Sequence, residues 1–255
     1  MNIVFLHIPK TAGQSVHHYL ISNFNKNEVF PARVNSQALD YTVREIKKYK
    51  VFSGHFDISF LDIVDQPKFV FTILRTPMDR ILSYYFYLRN EAKKLSFEEI
   101  NSPQRQGMKA ALELSPDEYF CDEDLNIRQF IDDHYDNFYM HYFAMRSYNG
   151  KSFADKLIKS NVLSQDMLLD KAINTLNQIN AVYDIENWHY LSEDLSKYIP
   201  DKAFMNQDVY VNKGDGNDSD KRLENLISLG ATQLTLDKLD EFCKFDNILY
   251  EKFCK

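Results

Sequence analysis

The chain of 255 residues has few cysteines: Cys121, Cys243 and Cys254 are all it contains. They form no CxxC pair and show no Cys/His ligand spacing, which argues against a disulfide framework and a zinc module and fits a reducing compartment. Positive charge is in deficit, with 30 Lys and Arg against 37 Asp and Glu for a formal net charge of −7. That balance argues against nucleic acid as a partner, and it means an anionic ligand would need a local basic pocket. No apolar run approaches the roughly 18 residues of a membrane span. The opening "MNIVFLHI" is too short and wrongly flanked for a secretory leader, so the expectation is a cytoplasmic protein with no integral membrane segment. Internal repeats and low-complexity blocks are missing, and so is the spacing GxxxxGK[ST] of nucleotide triphosphatases.

Aromatic residues, by contrast, are plentiful, with 16 Tyr and 19 Phe. Most belong in a core, though a Tyr-rich cleft also suits ring-shaped or sugar ligands. Three short apolar runs rich in β-branched and aromatic residues read as strands buried on both faces: Ile3 to His7, Lys50 to Ser53 and Lys68 to Leu74. Ala181 to Asp184 is a weaker fourth. Helical patterns fall between and after them, at Gln14 to Phe24, Leu39 to Tyr49, Met78 to Lys94, Asp124 to Asp133, Met167 to Gln178, Trp188 to Tyr198 and from Thr232 onward. The alternation predicts an α/β fold, P-loop-like, with a central parallel sheet flanked by helices, as one domain over residues 1–255. Asn101 to Glu123, polar and broken by Pro103 and Pro116, reads as an excursion over the sheet edge and part of a substrate lid. Val211 to Asp220, with turn residues at nearly every position, reads as a mobile loop.

Two stretches carry chemistry. In "HIPKTAGQS" a strand ends at His7, Pro9 stiffens the exit and Gly13 permits a close backbone approach. Amides from Lys10 to Ser15 (through Thr11, Ala12, Gly13 and Gln14) can then face an anion, backed by a helix N-terminus. Lys10 adds a charge, while the hydroxyls of Thr11 and Ser15 serve either a ligand or the helix cap. In "LRTPMDRILSYYFYLR" a buried strand ends at Arg75 and Pro77 opens a helix. Arg75 thus stands where open α/β sheets bind ligands. With Ser83 two turns into the helix, and Arg80 on a neighbouring face, it suits a second phosphate.

Two anion sites in this order resemble the cofactor motifs of the sulfotransferases, closest to carbohydrate enzymes of the uronyl 2-O type. The resemblance implies that the first loop binds the 5′-phosphosulfate of 3′-phosphoadenylyl sulfate (PAPS). It implies equally that Arg75 and Ser83 bind the 3′-phosphate, with Lys10 facing the bond that breaks. Between the motifs, "VFSGHFDISFL" places His55 at the same sheet edge, where the resembling enzymes carry a base for the acceptor hydroxyl. Imidazole, with an ordinary pKa of about 6.5, suits that task. A further His two residues earlier is frequent in those enzymes, and here Ser53 stands in that place. His7 is expected to orient the loop, and His134, His141 and His189 to be structural or at the surface. The implied reaction is in-line sulfuryl transfer to a hydroxyl of an acceptor, a carbohydrate, with no metal.

Farther along, "AVYDIENWHYLSEDL" matches the family in part through Glu186. Tyr183 and Trp188 are candidates to flank adenine, with a core role as the alternative. Asn212 and Lys213 are candidates for a loop over the cofactor, and "FDNILYEKF" for packing. Tyr84, Tyr85 and Tyr87 with the 101–123 excursion are expected to shape the acceptor cleft, and Arg105, Lys109 and Arg128 to meet an acidic sugar or solvent. Two rival readings stay open: a P-loop-like kinase or nucleotide hydrolase using Asp57 or Asp79 for Mg²⁺, and a non-catalytic nucleotide-binding protein. Oligomeric state is not legible.

Overall fold

The structure is a computed structural model, and it describes residues 1–123, 126–199, 204 and 219–254. At its centre lie four parallel strands, β1 (Asn2–Leu6), β2 (Val51–Gly54), β3 (Lys68–Leu74) and β4 (Ala181–Asp184), in the order β2-β1-β3-β4. Residues alternate across the sheet and both faces are apolar. Val4, Leu6, Phe52, Val70 and Leu74 join the core on one side, and Ile3, Phe5, Val51, Phe69, Phe71 and Ile73 join it on the other. That is why the strands read as unbroken hydrophobic runs. The chain moves from β1 to β2 on one side and then returns to place β3 on the other. A crevice therefore opens between the C-terminal ends of β1 and β3, where diverging loops leave room for a ligand.

Helix α1 (Gly13–Asn23) follows β1. After the single turn of α2 (Asn35–Ala38), the expected helix from Leu39 to Tyr49 is reduced to one turn, α3 (Val43–Ile46). Thr42 ends the run: its side chain accepts from the Glu45 amide while Glu45 reaches back to the Thr42 amide, a capping box that starts a new helix. Helix α4 (Pro77–Ala92) leaves β3, and α5 (Phe97–Ile100) follows it.

The stretch expected to be an excursion over the sheet edge is helical. It folds into α6 (Gln106–Glu113) and α7 (Pro116–Cys121), the latter capped by Ser115. Ala111, Tyr119 and Phe120 are fully buried in a third core shared with α4. Helix α8 (Arg128–Tyr135) begins later than the expected start at Asp124, which lies outside the described residues. Helices α9 (Phe138–Met145) and α10 (Gly150–Lys159), which the periodicity did not reveal, follow, then α11 (Gln165–Leu176), α12 (Leu191–Tyr198), the likewise unforeseen α13 (Ser219–Ser228) and α14 (Gln233–Phe253). The ending packs as expected, and Asp246 does more than pack. Its carboxylate accepts from the Tyr139 and Met140 amides at 3.0 and 2.9 Å, closing the start of α9. Among the described residues no helix is long and apolar enough to cross a membrane.

Candidate active site

Three consecutive strand ends build the site. The backbone of the first loop is held in the left-handed region at Lys10 (φ 72°) and Ala12 (φ 59°), and Ala12 is the cap of α1. The cap has no side-chain hydrogen bond, and the first intrahelical bond runs from Val16 to the Ala12 carbonyl. Helix α1 thus brings its positive end to the loop that follows β1. Gly13 is required by contact, because a Cβ there would sit 1.7 Å from Nε2 of the His7 ring. Thr11 is buried and donates to the Ile8 carbonyl at 2.9 Å, so its hydroxyl braces the loop rather than capping the helix. Ser15 is buried on α1 and Gln14 is exposed.

The Lys10 ammonium lies 4.1 Å over the Tyr87 ring and has no carboxylate partner among the described residues. Burial, with Arg75 and then Arg222 nearby, lowers its pKa to about 8. Arg75 is buried at the end of β3, where its Nε pairs with Asp79 and its Nη1 donates to the Lys10 carbonyl at 3.3 Å. The same Asp79 receives Arg222 from α13 at 2.5 Å. Two arginines therefore share one carboxylate with the Lys10 ammonium close by, an excess of positive charge that suits a ligand carrying several negative charges. Ser83 follows Asp79 by four residues and precedes Tyr87 by four, so it lies on the α4 face between the Arg75 pair and the Lys10 contact. Its hydroxyl makes no hydrogen bond among the described residues. Arg80 is turned away: fully buried, it donates to the His134 carbonyl at 3.0 Å and lies over Phe138 and Tyr139.

His55 follows β2, and its ring stacks on His7 with centroids 4.0 Å apart. Its Nδ1 stands 2.8 Å from the His7 carbonyl. A carbonyl only accepts, so Nδ1 carries the proton and Nε2 keeps its lone pair. Tyr148 donates to the same carbonyl, and its oxygen is 3.2 Å from Nδ1. Burial lowers the His55 pKa below 6.5, opposed by the bond to His7 and aided by the charge of Arg33. Both neighbouring histidines are held neutral as well, His7 well below its ordinary value and His17 down to about 4, each chiefly by burial. Where a second histidine was sought, Ser53 is buried with its hydroxyl 3.1 Å from Nδ1 of His17, so helix α1 supplies an imidazole that β2 lacks.

Sequence reasoning missed Arg33, Tyr148 and Arg222. Arg33 lowers the pKa of all three histidines, and its Nε is buried without a partner. Other expectations move away from the site. Trp188 and Tyr183 are buried in the core beside Tyr19 and Phe71, so neither ring is open to stack on a base. Tyr85 is fully buried and does not line a cleft. Arg128 pairs with Asp132 and donates to the Phe120 carbonyl, and Lys109 donates to Asn101, so both are engaged within the protein. Asn212 and Lys213 lie outside the described residues. Asp57 accepts from the Tyr148 amide at 2.7 Å and Asp79 serves two arginines, so both carboxylates on which a Mg²⁺ reading leaned are committed. No group of His, Cys, Asp or Glu suited to hold a metal ion is found among the described residues.

A comparison with protein families matches residues 1–251 to the model described as Sulfotransferase family. Among curated proteins, none matches the chain.

Proposed function

We propose that this chain, which belongs to the sulfotransferase family, takes PAPS as donor and transfers its sulfuryl group to a hydroxyl of a carbohydrate, with His55 as the base. The observation that carries the reading is the pairing of an imidazole locked with Nε2 bare and a half-buried lysine with no carboxylate partner among the described residues at the ends of two neighbouring strands. The first loop fits a phosphate-bearing group, because it turns through left-handed backbone at Lys10 and Ala12 into the start of α1, whose first turn has no side-chain cap. Lys10 and the loop amides would hold the phosphosulfate end, and Arg75 with Ser83 the 3′-phosphate. Arg75 keeps Nη2 without a partner among the described residues for that purpose.

When bound, the donor supplies the sulfuryl group on an anhydride that is already activated. The chain supplies the rest. His55 is neutral at neutral pH and accepts the acceptor hydroxyl's proton at Nε2 as the oxygen attacks. Proton uptake makes an imidazolium whose Nδ1–H is already bonded to the His7 carbonyl. Lys10 and the amides of α1 offer fixed positive charge to developing negative charge, which requires no rearrangement during the reaction.

Thermal unfolding with adenosine 3′,5′-bisphosphate, against ATP with Mg²⁺, tests the donor class. At a hundred times its dissociation constant the bisphosphate should add about 2.7 kcal/mol. Ser83→Ala and Arg75→Ala should weaken that effect, with circular dichroism confirming that each variant folds. Stabilisation by ATP alone would support a kinase in its place. Binding without sulfuryl transfer to any hydroxyl would support a non-catalytic binding protein.

A further inference from the structure

Beside α4 lies a cavity of about 440 Å³, lined by Tyr84, Leu88, Gln104, Gln106, Asn126 and Phe130 among others. Its size falls within the roughly 300–1,000 Å³ of small-molecule sites. A row of partly accessible rings leads to it from the reacting end of the site. Tyr87 lies under the Lys10 ammonium, and Tyr84 stacks near Tyr87 with centroids 6.4 Å apart and planes 21° from parallel. His134 backs Tyr84 at 5.3 Å and 8°, and Phe130 packs on His134 at 4.2 Å. Gly107 makes the far wall possible, since a Cβ there would come within 2.4 Å of the Phe130 ring. The wall is fixed before any ligand arrives. The Tyr84 hydroxyl stays protonated, its pKa raised by burial to about 12.

The lining carries no formal charge among its described residues. An anionic sugar would leave its own charge facing amides and rings, while the neighbouring cations Arg105 and Lys109 are turned to Met108 and Asn101. Three carboxamides, by contrast, both donate and accept, as sugar hydroxyls require, and aromatic faces cover the C–H faces of a pyranose. From this juxtaposition of uncharged amides with a ring row that runs from Lys10 through Tyr87 to Tyr84 we infer that the cavity is a subsite for uncharged pyranose units of the acceptor, flanking the hydroxyl that receives sulfate. The inference rests on the carbohydrate reading above and sharpens it: recognition away from the reacting hydroxyl is by ring stacking and hydrogen bonds, not by ion pairing.

Saturation-transfer NMR tests it, with and without adenosine 3′,5′-bisphosphate. The probes are neutral tetrasaccharides of glucose, galactose, mannose and N-acetylglucosamine, a uronic-acid tetrasaccharide, and p-nitrophenol. At least one neutral sugar should bind, and Gln104→Ala/Gln106→Ala should weaken it about tenfold, the worth of one or two hydrogen bonds. The bisphosphate's affinity should not change in that variant. Both positions are at least partly exposed, so the variant is expected to fold; Gly107→Ala, which displaces Phe130, is a second route to the same loss. Preferred binding of the uronic-acid probe or of p-nitrophenol, no sugar binding, or neutral-sugar binding indifferent to the double substitution would each overturn the inference. Failure of the bisphosphate to bind, with the sugar response intact, would instead count against the donor reading.

Discussion

The strand ends and the helical layer formed by α6 to α10 with α14 treat polar groups in opposite ways. In the helical layer several charges are answered nearby. Arg128 pairs with Asp132 and Lys151 with both Asp136 and Asp155; Asp117 accepts from Thr232 and Thr235. At the strand ends, Lys10 and Arg33 have no carboxylate partner among the described residues, two arginines share Asp79, and three histidines are held neutral. Left-handed backbone at Lys10 and Ala12 adds local strain there. The first arrangement spends its polar groups on stability. The second leaves them unspent, which is what binding and catalysis require.

Substitutions can break that contrast. The largest effect is expected at His55→Ala, which should slow sulfuryl transfer by about 10²–10⁴-fold while the bisphosphate still stabilises the fold. A variant that transfers at the wild-type rate would remove His55 from the mechanism. Next comes Gly13→Ala, which drives a methyl into the His7 ring. Overpacking of this kind costs about 1–3 kcal/mol; here urea unfolding should fall by that much and bisphosphate binding should fall with it. Arg128→Ala probes the other region. Loss of its hydrogen bonds to Asp132 and the Phe120 carbonyl should cost about 1–3 kcal/mol, with bisphosphate affinity unchanged. Coupled loss of affinity would show that the two regions are not separate.

A smaller effect sharpens the comparison through pH. The base must be neutral, so the rate should rise with pH through the His55 pKa, below 6.5. Lys10 must stay charged, so the rate should decline again near pH 8. Arg33→Gln removes a charge that depresses His55, and the acid limb should move upward toward 6.5. An unmoved limb would mean that Arg33 does not act on the base. Stability should follow the same histidines: with folded pKa values below the unfolded 6.5, His7, His17 and His55 favour unfolding as pH falls through and below 6.5.

The strands were legible to within a residue because both faces of a parallel sheet are apolar and the runs are unbroken. Lys10, Arg75 and His55 could be placed at one edge because each follows such a run directly. Of the helical layer only α8 and α14 were legible; α6 and α7 are short, bounded by polar residues and prolines, and owe their order to the burial of Ala111, Tyr119 and Phe120 against α4. Leu39 to Tyr49 misled because its periodicity crosses a capping residue, Thr42. Tyr148 and Arg222 were invisible for another reason. Tyr148 meets His55 from 93 residues away, and Arg222 meets Asp79 from 143. No local pattern records such pairs.

The state of His55 can be read without any acceptor, by long-range ¹⁵N–¹H NMR of the imidazoles across a pH titration, with His55→Gln to assign the signal. The account predicts the Nδ1–H tautomer, a bare Nε2, and a midpoint below 6.5. An Nε2–H tautomer, or a midpoint above 6.5, would contradict it.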